Sequence, residues 1–200
     1  MTEIKPRFEF RAFAKNFGIV EAKLRRLSRC EQIRESDEVY IMSAGSDDNN
    51  TKIRDGQLDI KVLVYREGGL EQWSPRLKGR FPLALGVIRD ELFPAFGVPV
   101  PDLRRAEYTL EQCLEQLIRP HPQLVAVEVS KRRFGFTVEG CITELAEVWV
   151  NGAGIQTVAV ESADAEAVLR ARALLALEEY ENVNYLMAIK RIIGMQPLPH

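Results

Sequence analysis

Basic residues recur at every second position in several short stretches of this chain. Arg7, Glu9 and Arg11 alternate with Phe8 and Phe10. Lys52 and Arg54 flank Ile53. Lys61 follows Asp59, with Ile60 and Val62 on the opposite parity. Arg76, Lys78 and Arg80 repeat the spacing, and so do Lys131 and Arg133. A period of two is one face of a β-strand. Guanidinium forks and ammonium groups both suit phosphate and carboxylate oxygens. The chain carries 19 Arg against 8 Lys.

Two arrangements satisfy this pattern. In one, each charged face is the solvated side of an ordinary sheet, and the protein is structural or an interaction module. In the other, the faces meet inside a closed barrel and helices cover its apolar outside. A dry, empty interior lined with cations would repel itself strongly. That arrangement therefore implies water, compensating carboxylates and a polyanionic guest such as phosphates.

The elements that would position these residues follow from pattern and punctuation. Residues 7–13 read as a first strand and residues 17–28 as a helix with Ile19, Val20 and Leu24 inward. Residues 31–43 read as a second strand, and 44–50 as a loop. Asp55-Gly56 marks a tight hairpin between residues 51–54 and 58–65. Residues 72–81 hold a further extended segment, which Pro75 places at an edge. Helices are expected over 84–95 and 109–119, the second opened by a Thr109/Gln112 capping box. Strands follow at 124–129, running into 130–133, then at 140–150 and 155–161, with Asn151-Gly152 between the last two. A final helix spans about 163–194, with a break allowed near 182–184; Gly194 is a natural stop. The expected fold is α+β: one domain over 1–200, a mainly antiparallel eight-stranded barrel or tunnel with helices packed outside. The last helix covers its own barrel or a neighbour's, which leaves a homo-oligomer open.

Composition removes several function classes. A net charge of -2 lacks the basic footprint of a nucleic-acid binder, so nucleic acid is not an expected partner. No apolar run approaches the roughly 20 residues of a membrane helix. Residues 1–6 lack the apolar core of a signal peptide. Three scattered cysteines, Cys30, Cys113 and Cys141, suit a reducing compartment, and the expected location is the cytoplasm. His121 and His200 are the only histidines, which argues against a His-based metal site or a Ser-His-Asp triad. Gly68-Gly69 and Gly152-Ala153-Gly154 lack phosphate-loop spacing and read as turns. Trp73, Trp149 and Cys141 read as packing residues.

The strand order, the charged first strand and the Lys-x-Arg pairs resemble the CYTH superfamily, the triphosphate tunnel metalloenzymes, over most of the chain. That family opens with E-x-E-x-K; this chain has Arg7-Phe8-Glu9-Phe10-Arg11. The second Glu is kept, the Lys is Arg, and the first Glu is absent. Lys52-Ile53-Arg54 matches the family's next basic pair, Lys61 its single lysine, and Lys131-Arg132-Arg133 a later pair. Glu144 matches an acidic position. The family's last-strand E-x-E is reduced to Glu161, with Ala159 in place of its partner and Glu147 as an alternative in another register.

The resemblance implies a phosphate grip by Arg11, Lys52, Arg54, Lys61, Arg76, Lys78, Lys131 and Arg133. It also implies Mg2+ or Mn2+ on Glu9, Glu144 and Glu161, ions that prefer hard oxygen ligands. The activity it implies is metal-dependent hydrolysis of inorganic triphosphate or a triphosphate-bearing small molecule, with no catalytic residue assigned. The missing carboxylates leave a non-catalytic polyphosphate or nucleotide binder of the same fold as the alternative.

Overall fold

The structure is a computed structural model that describes residues 6–196. Residues 1–5, which hold most of the segment examined for a signal peptide, lie outside it, as does His200. Within the described residues, eight long strands close a barrel: β1 (Arg7–Ala14), β2 (Gln32–Ser43), β3 (Asn49–Arg54), β4 (Gln57–Glu67), β5 (Leu70–Arg80), β8 (Leu124–Val138), β9 (Cys141–Val150) and β10 (Ala153–Ser162). Their order around the wall is β1-β10-β9-β8-β2-β3-β4-β5, and every adjacent pair is antiparallel. Two short strands, β6 (Leu83–Ala84) and β7 (Glu107–Tyr108), pair outside it. Closure removes the sheet edges that would otherwise template aggregation.

Tight turns set the registers. Asp55 and Gly56 have φ of 51° and 67°, and Asn151 and Gly152 have 46° and 87°, the paired positive values that match strand twist in a two-residue hairpin. Pro75 does not mark an edge strand. It lies beyond the residues of β5 paired with β1 and beside a register shift against β4, where the ladder is already interrupted. Strand β8 runs on to Val138, well past the expected end, because β2 and β9 pair with it along that length.

Alternation sends one parity of each strand outward under helices. Helix α1 (Gly18–Leu27) and helix α4 (Ala165–Leu174) cover Phe10, Ala12, Leu145, Val158 and Val160. Cys141 is buried in the same cluster, as expected. On the opposite side, two helical runs cover Ile41, Ile53, Leu58 and Ile60: α2 (residues 85–96) and α3 (residues 110–118). Both include a π-helical stretch. Thr109 and Gln112 form the expected capping box. Each large side chain so buried contributes roughly 1.5–3 kcal/mol. Trp149 departs from its expected packing role: it lies on the barrel's outer surface, 40% exposed.

The final helix is two helices. Helix α4 stops at Leu174, the chain turns through Ala176 at φ 57°, and α5 (Tyr185–Ile192) begins after Asn184. Arg172 ends α4 by donating to the carbonyls of Leu177 and Glu178. The linking segment is stitched to the barrel: Arg11 N–H donates to Asn182 Oδ1, and Val183 N–H donates to the Arg11 carbonyl. Asn184 caps α5 through Met187 N–H and donates to the buried Glu71.

Helix α5 does not lie on the outside. It packs Tyr185, Leu186 and Ile189 against Phe13, Tyr40, Met42, Val127 and Val148, the inward parity of the strands, and so plugs one end of its own barrel. Lys190, fully buried, fixes the plug by donating to the Ser46 carbonyl and to Asp47.

Candidate functional site: a two-walled cavity

Above the plug the interior is polar. A cavity of about 160 Å³ is lined by Glu9, Arg11, Tyr40, Asn50, Lys52, Arg54, Asp59, Lys61, Trp73, Lys131, Arg133, Glu144, Glu161, Asn184 and Tyr185. About 10–15 Å³ of such water-accessible space is enough for one water, so the cavity has room for a phosphoryl group.

Six of the eight cations expected to grip phosphate line this space: Arg11, Lys52, Arg54, Lys61, Lys131 and Arg133. Arg76 and Lys78 do not. Both are exposed. Arg76 is the extra residue at the register shift, since Leu77 faces Ile60 and Pro75 faces Lys61, and it pairs instead with Glu91 of α2 at 2.9 Å. Lys78 lies opposite the cavity-lining Asp59 and so shares its parity, but the residue is exposed and its side chain is not part of the cavity lining.

The lining divides by strand. Strands β8, β2, β3 and β4 are neighbours and supply Lys131, Arg133, Lys52, Arg54 and Lys61. At the centre of this basic wall is Glu38, whose carboxylate is fully buried. Its oxygens lie 2.9 Å from Lys131 Nζ, 3.3 Å from Lys52 Nζ, 3.4 Å from Arg54 Nη1 and 3.5 Å from Arg133 Nη1. Burial alone would raise the Glu38 pKa, but Lys131, Lys52 and Arg54 hold it well below the usual carboxylate range. Lys131 also donates to Tyr40 Oη at 2.8 Å and rests 3.6 Å from the centre of the Tyr185 ring. Burial, and then repulsion from Lys52, lower its pKa. Among the described residues Lys61 makes no ion pair.

Strands β1, β10 and β9 form the acidic wall. Glu9, Glu161 and Glu144 all turn toward Arg11. Its Nε donates to Glu9 at 2.6 Å, its Nη1 lies 3.7 Å from Glu144, and its Nη2 lies 3.9 Å from Glu161. The guanidinium also sits 4.6 Å from the Tyr185 ring centre. Burial works against the Arg11 charge, yet Glu9 and the neighbouring acids raise its pKa well above normal. Glu9 is held low: burial opposes its charge, and Arg11 more than offsets it. Burial and the Glu9 charge raise the Glu161 pKa.

The three carboxylates that the family resemblance assigns to a metal thus come together, but around a guanidinium. Among the described residues no group of three or more His, Cys, Asp or Glu is arranged to hold a metal ion. A divalent ion on Glu9, Glu144 and Glu161 would have to displace Arg11, so the donor set as arranged does not fit one. Glu147 is not the missing partner. It pairs with Gln156 and Arg132 in register and is absent from the cavity lining.

Two residues that shape the site had no sequence signal strong enough to single them out. Glu38 lies among Glu35, Asp37 and the apolar run 39–42, and only barrel closure shows which parity faces in. Tyr185 lies on a helix expected outside. Among the described residues, three polar atoms on the lining have no protein partner: Tyr185 Oη, Arg133 Nε and Asn50 Oδ1.

No protein-family model and no curated protein sequence matches the chain. Solved structures do. A conserved hypothetical protein from Pyrococcus furiosus aligns with a TM-score of 0.55 at 16% identity, covering 90% of this chain and 98% of its own. A Pyrococcus horikoshii protein gives 0.53 at 16%, covering 95% and 99%. A putative adenylyl cyclase from Hippeastrum, described as having a dominant triphosphatase activity, gives 0.52 at 13%, covering 96% and 98%. At these identities the likeness establishes the fold, and the fold is shared along nearly the whole chain. No described helix is long and apolar enough to cross a membrane.

Proposed function

We propose that this protein is a divergent CYTH-type barrel that binds a phosphate-bearing small molecule by its anionic end. One observation carries the reading: the basic wall turns five cations onto the cavity against three nearby carboxylates among the described residues, Glu38, Asp59 and the exposed Asp55. An unbalanced set of partly dehydrated cations favours an incoming oxyanion. Among the described residues Lys61 is unpaired and Arg133 Nε has no partner, so these are the donors with capacity to spare. The cavity takes the phosphate end of the ligand. The match to a barrel described as a triphosphatase supports the same ligand class.

Titration with tripolyphosphate at low salt tests this. A rise in Tm that salt abolishes is expected. No shift would leave the interior charges as a structural network.

A second reading, hydrolysis of triphosphate with Mg2+ or Mn2+, is favoured by the acidic wall that faces the basic one. It requires Arg11 to leave its carboxylates. Phosphate release from tripolyphosphate, assayed with each metal, separates it from binding alone; release that depends on Glu9 would establish it.

A further inference from the structure

We propose that Arg11 is a built-in replacement for a divalent cation, so that the acidic wall is complete without metal. The claim concerns the acidic wall alone and stands or falls independently of any phosphate ligand. Its basis is geometric. Arg11 directly opposes Ala159 on β10, and Ala159 directly opposes Glu144 on β9. Directly paired residues project from the same face about 5 Å apart, so the side chain at position 159 borders the path from Arg11 to Glu144. Alanine, 1% exposed, leaves that path clear.

The guanidinium then reaches acids from three strands, with Glu9 on Nε, Glu144 on Nη1 and Glu161 on Nη2. Each nitrogen addresses a different carboxylate, as the planar fork of arginine permits and an ammonium does not. The Tyr185 ring borders the group at 4.6 Å, and Thr157 Oγ1 lies 3.4 Å from Nη1. Arg11 is itself 5% exposed. The arginine at 11 and the alanine at 159 therefore act as one unit, in which the small residue admits the long one and the long one supplies the charge that three carboxylates need.

Removing the cation should expose an oxygen-rich site for a hard divalent ion. The experiment uses the full chain after chelator treatment, with Mn2+ alone as the probe. Free Mn2+ is followed by electron paramagnetic resonance and Tm by calorimetry. The wild-type protein is expected to bind no stoichiometric Mn2+ and to keep its Tm in chelator. Arg11→Ala is expected to bind Mn2+ at least about tenfold more tightly than wild type, with its Tm restored toward wild type by the ion. Stoichiometric Mn2+ binding by the wild type that Glu9→Gln abolishes would overturn the proposal, as would a folded Arg11→Ala protein that binds none.

Glu9→Gln in chelator gives a sign test that does not depend on Arg11→Ala folding. If Arg11 is the counter-ion, the substitution removes a partner of a buried charge and Tm falls. If the acids form a vacant metal site, it relieves repulsion among them and Tm rises, which would sink the proposal.

Discussion

The two walls of the cavity are built on opposite plans. The basic wall gathers four cations around one buried carboxylate, Glu38. The acidic wall gathers three carboxylates around one cation, Arg11. Each hub neutralises part of its wall. They differ in hydration. The Glu38 side chain is fully buried, whereas those of Glu144 and Glu161 are 29% and 25% exposed. Water can replace part of what Arg11 does and very little of what Glu38 does. The comparison teaches that a charged interior needs local counter-charge first, and that the surplus left over defines what the cavity can accept.

The largest effect expected from breaking this contrast is at Glu38. Glu38→Ala leaves Lys131, Lys52, Arg54 and Arg133 without their shared partner and should cost about 3–5 kcal/mol, measured by urea denaturation. Tripolyphosphate should recover part of that loss by supplying the missing negative charge. A loss below that of Arg11→Ala would invert the ranking of the two hubs. Arg11→Ala should cost roughly 1–3 kcal/mol, the smaller figure reflecting its more hydrated partners.

Acid titration sharpens the contrast by sign. The folded-state pKa of Glu38 lies below its unfolded value near 4.5. Its stabilisation is therefore present above pH 4.5 and is lost as pH falls below that value. Glu161 is shifted the other way, so its ionisation erodes stability as pH rises from 4.5 through its folded pKa. Stability-pH curves should flatten below 4.5 in Glu38→Gln and above 4.5 in Glu161→Gln. Identical curves for the two variants would show that the walls do not titrate independently.

Lys61→Ala removes a cation that has no ion-pair partner among the described residues. Stability should move by no more than about 0.5 kcal/mol, while tripolyphosphate affinity drops about tenfold, roughly 1.4 kcal/mol, by calorimetric titration at low salt. Unchanged affinity would place Lys61 outside the binding surface. The smallest effect is expected at Arg76 and Lys78. Alanine at either position should leave affinity unaltered, since both side chains are exposed outside the cavity lining; a loss comparable to that of Lys61→Ala would extend the site beyond the barrel interior.

Much of the architecture was legible because period-two alternation and turn chemistry are local. The Asp55-Gly56 hairpin, the Thr109/Gln112 cap and the opposed faces of Arg7–Phe10 follow from rules that act over a few residues. The candidate site was legible where a charged parity repeated, as at Lys52/Arg54 and Lys131/Arg133. It failed at Arg76, where a register shift takes the residue off the pattern, and at Glu38, which sits in an acidic stretch that looks like an ordinary solvated strand start. The break in the last helix was visible only as Asn182 and Asn184, because the hydrogen bonds that hold the segment, from Arg11 and to Gly69 and Glu71, come from the other end of the chain.

The strands, their two-faced character and the stock of inward-capable charges were readable from residue type and from spacing along one strand. Tertiary structure alone decided which charges meet. Whether an arginine faces water, a carboxylate or a ligand depends on strands distant in sequence closing into one wall and on α5 stopping one end. Coulomb interactions depend on separation in space, and a linear pattern fixes separation only within its own strand.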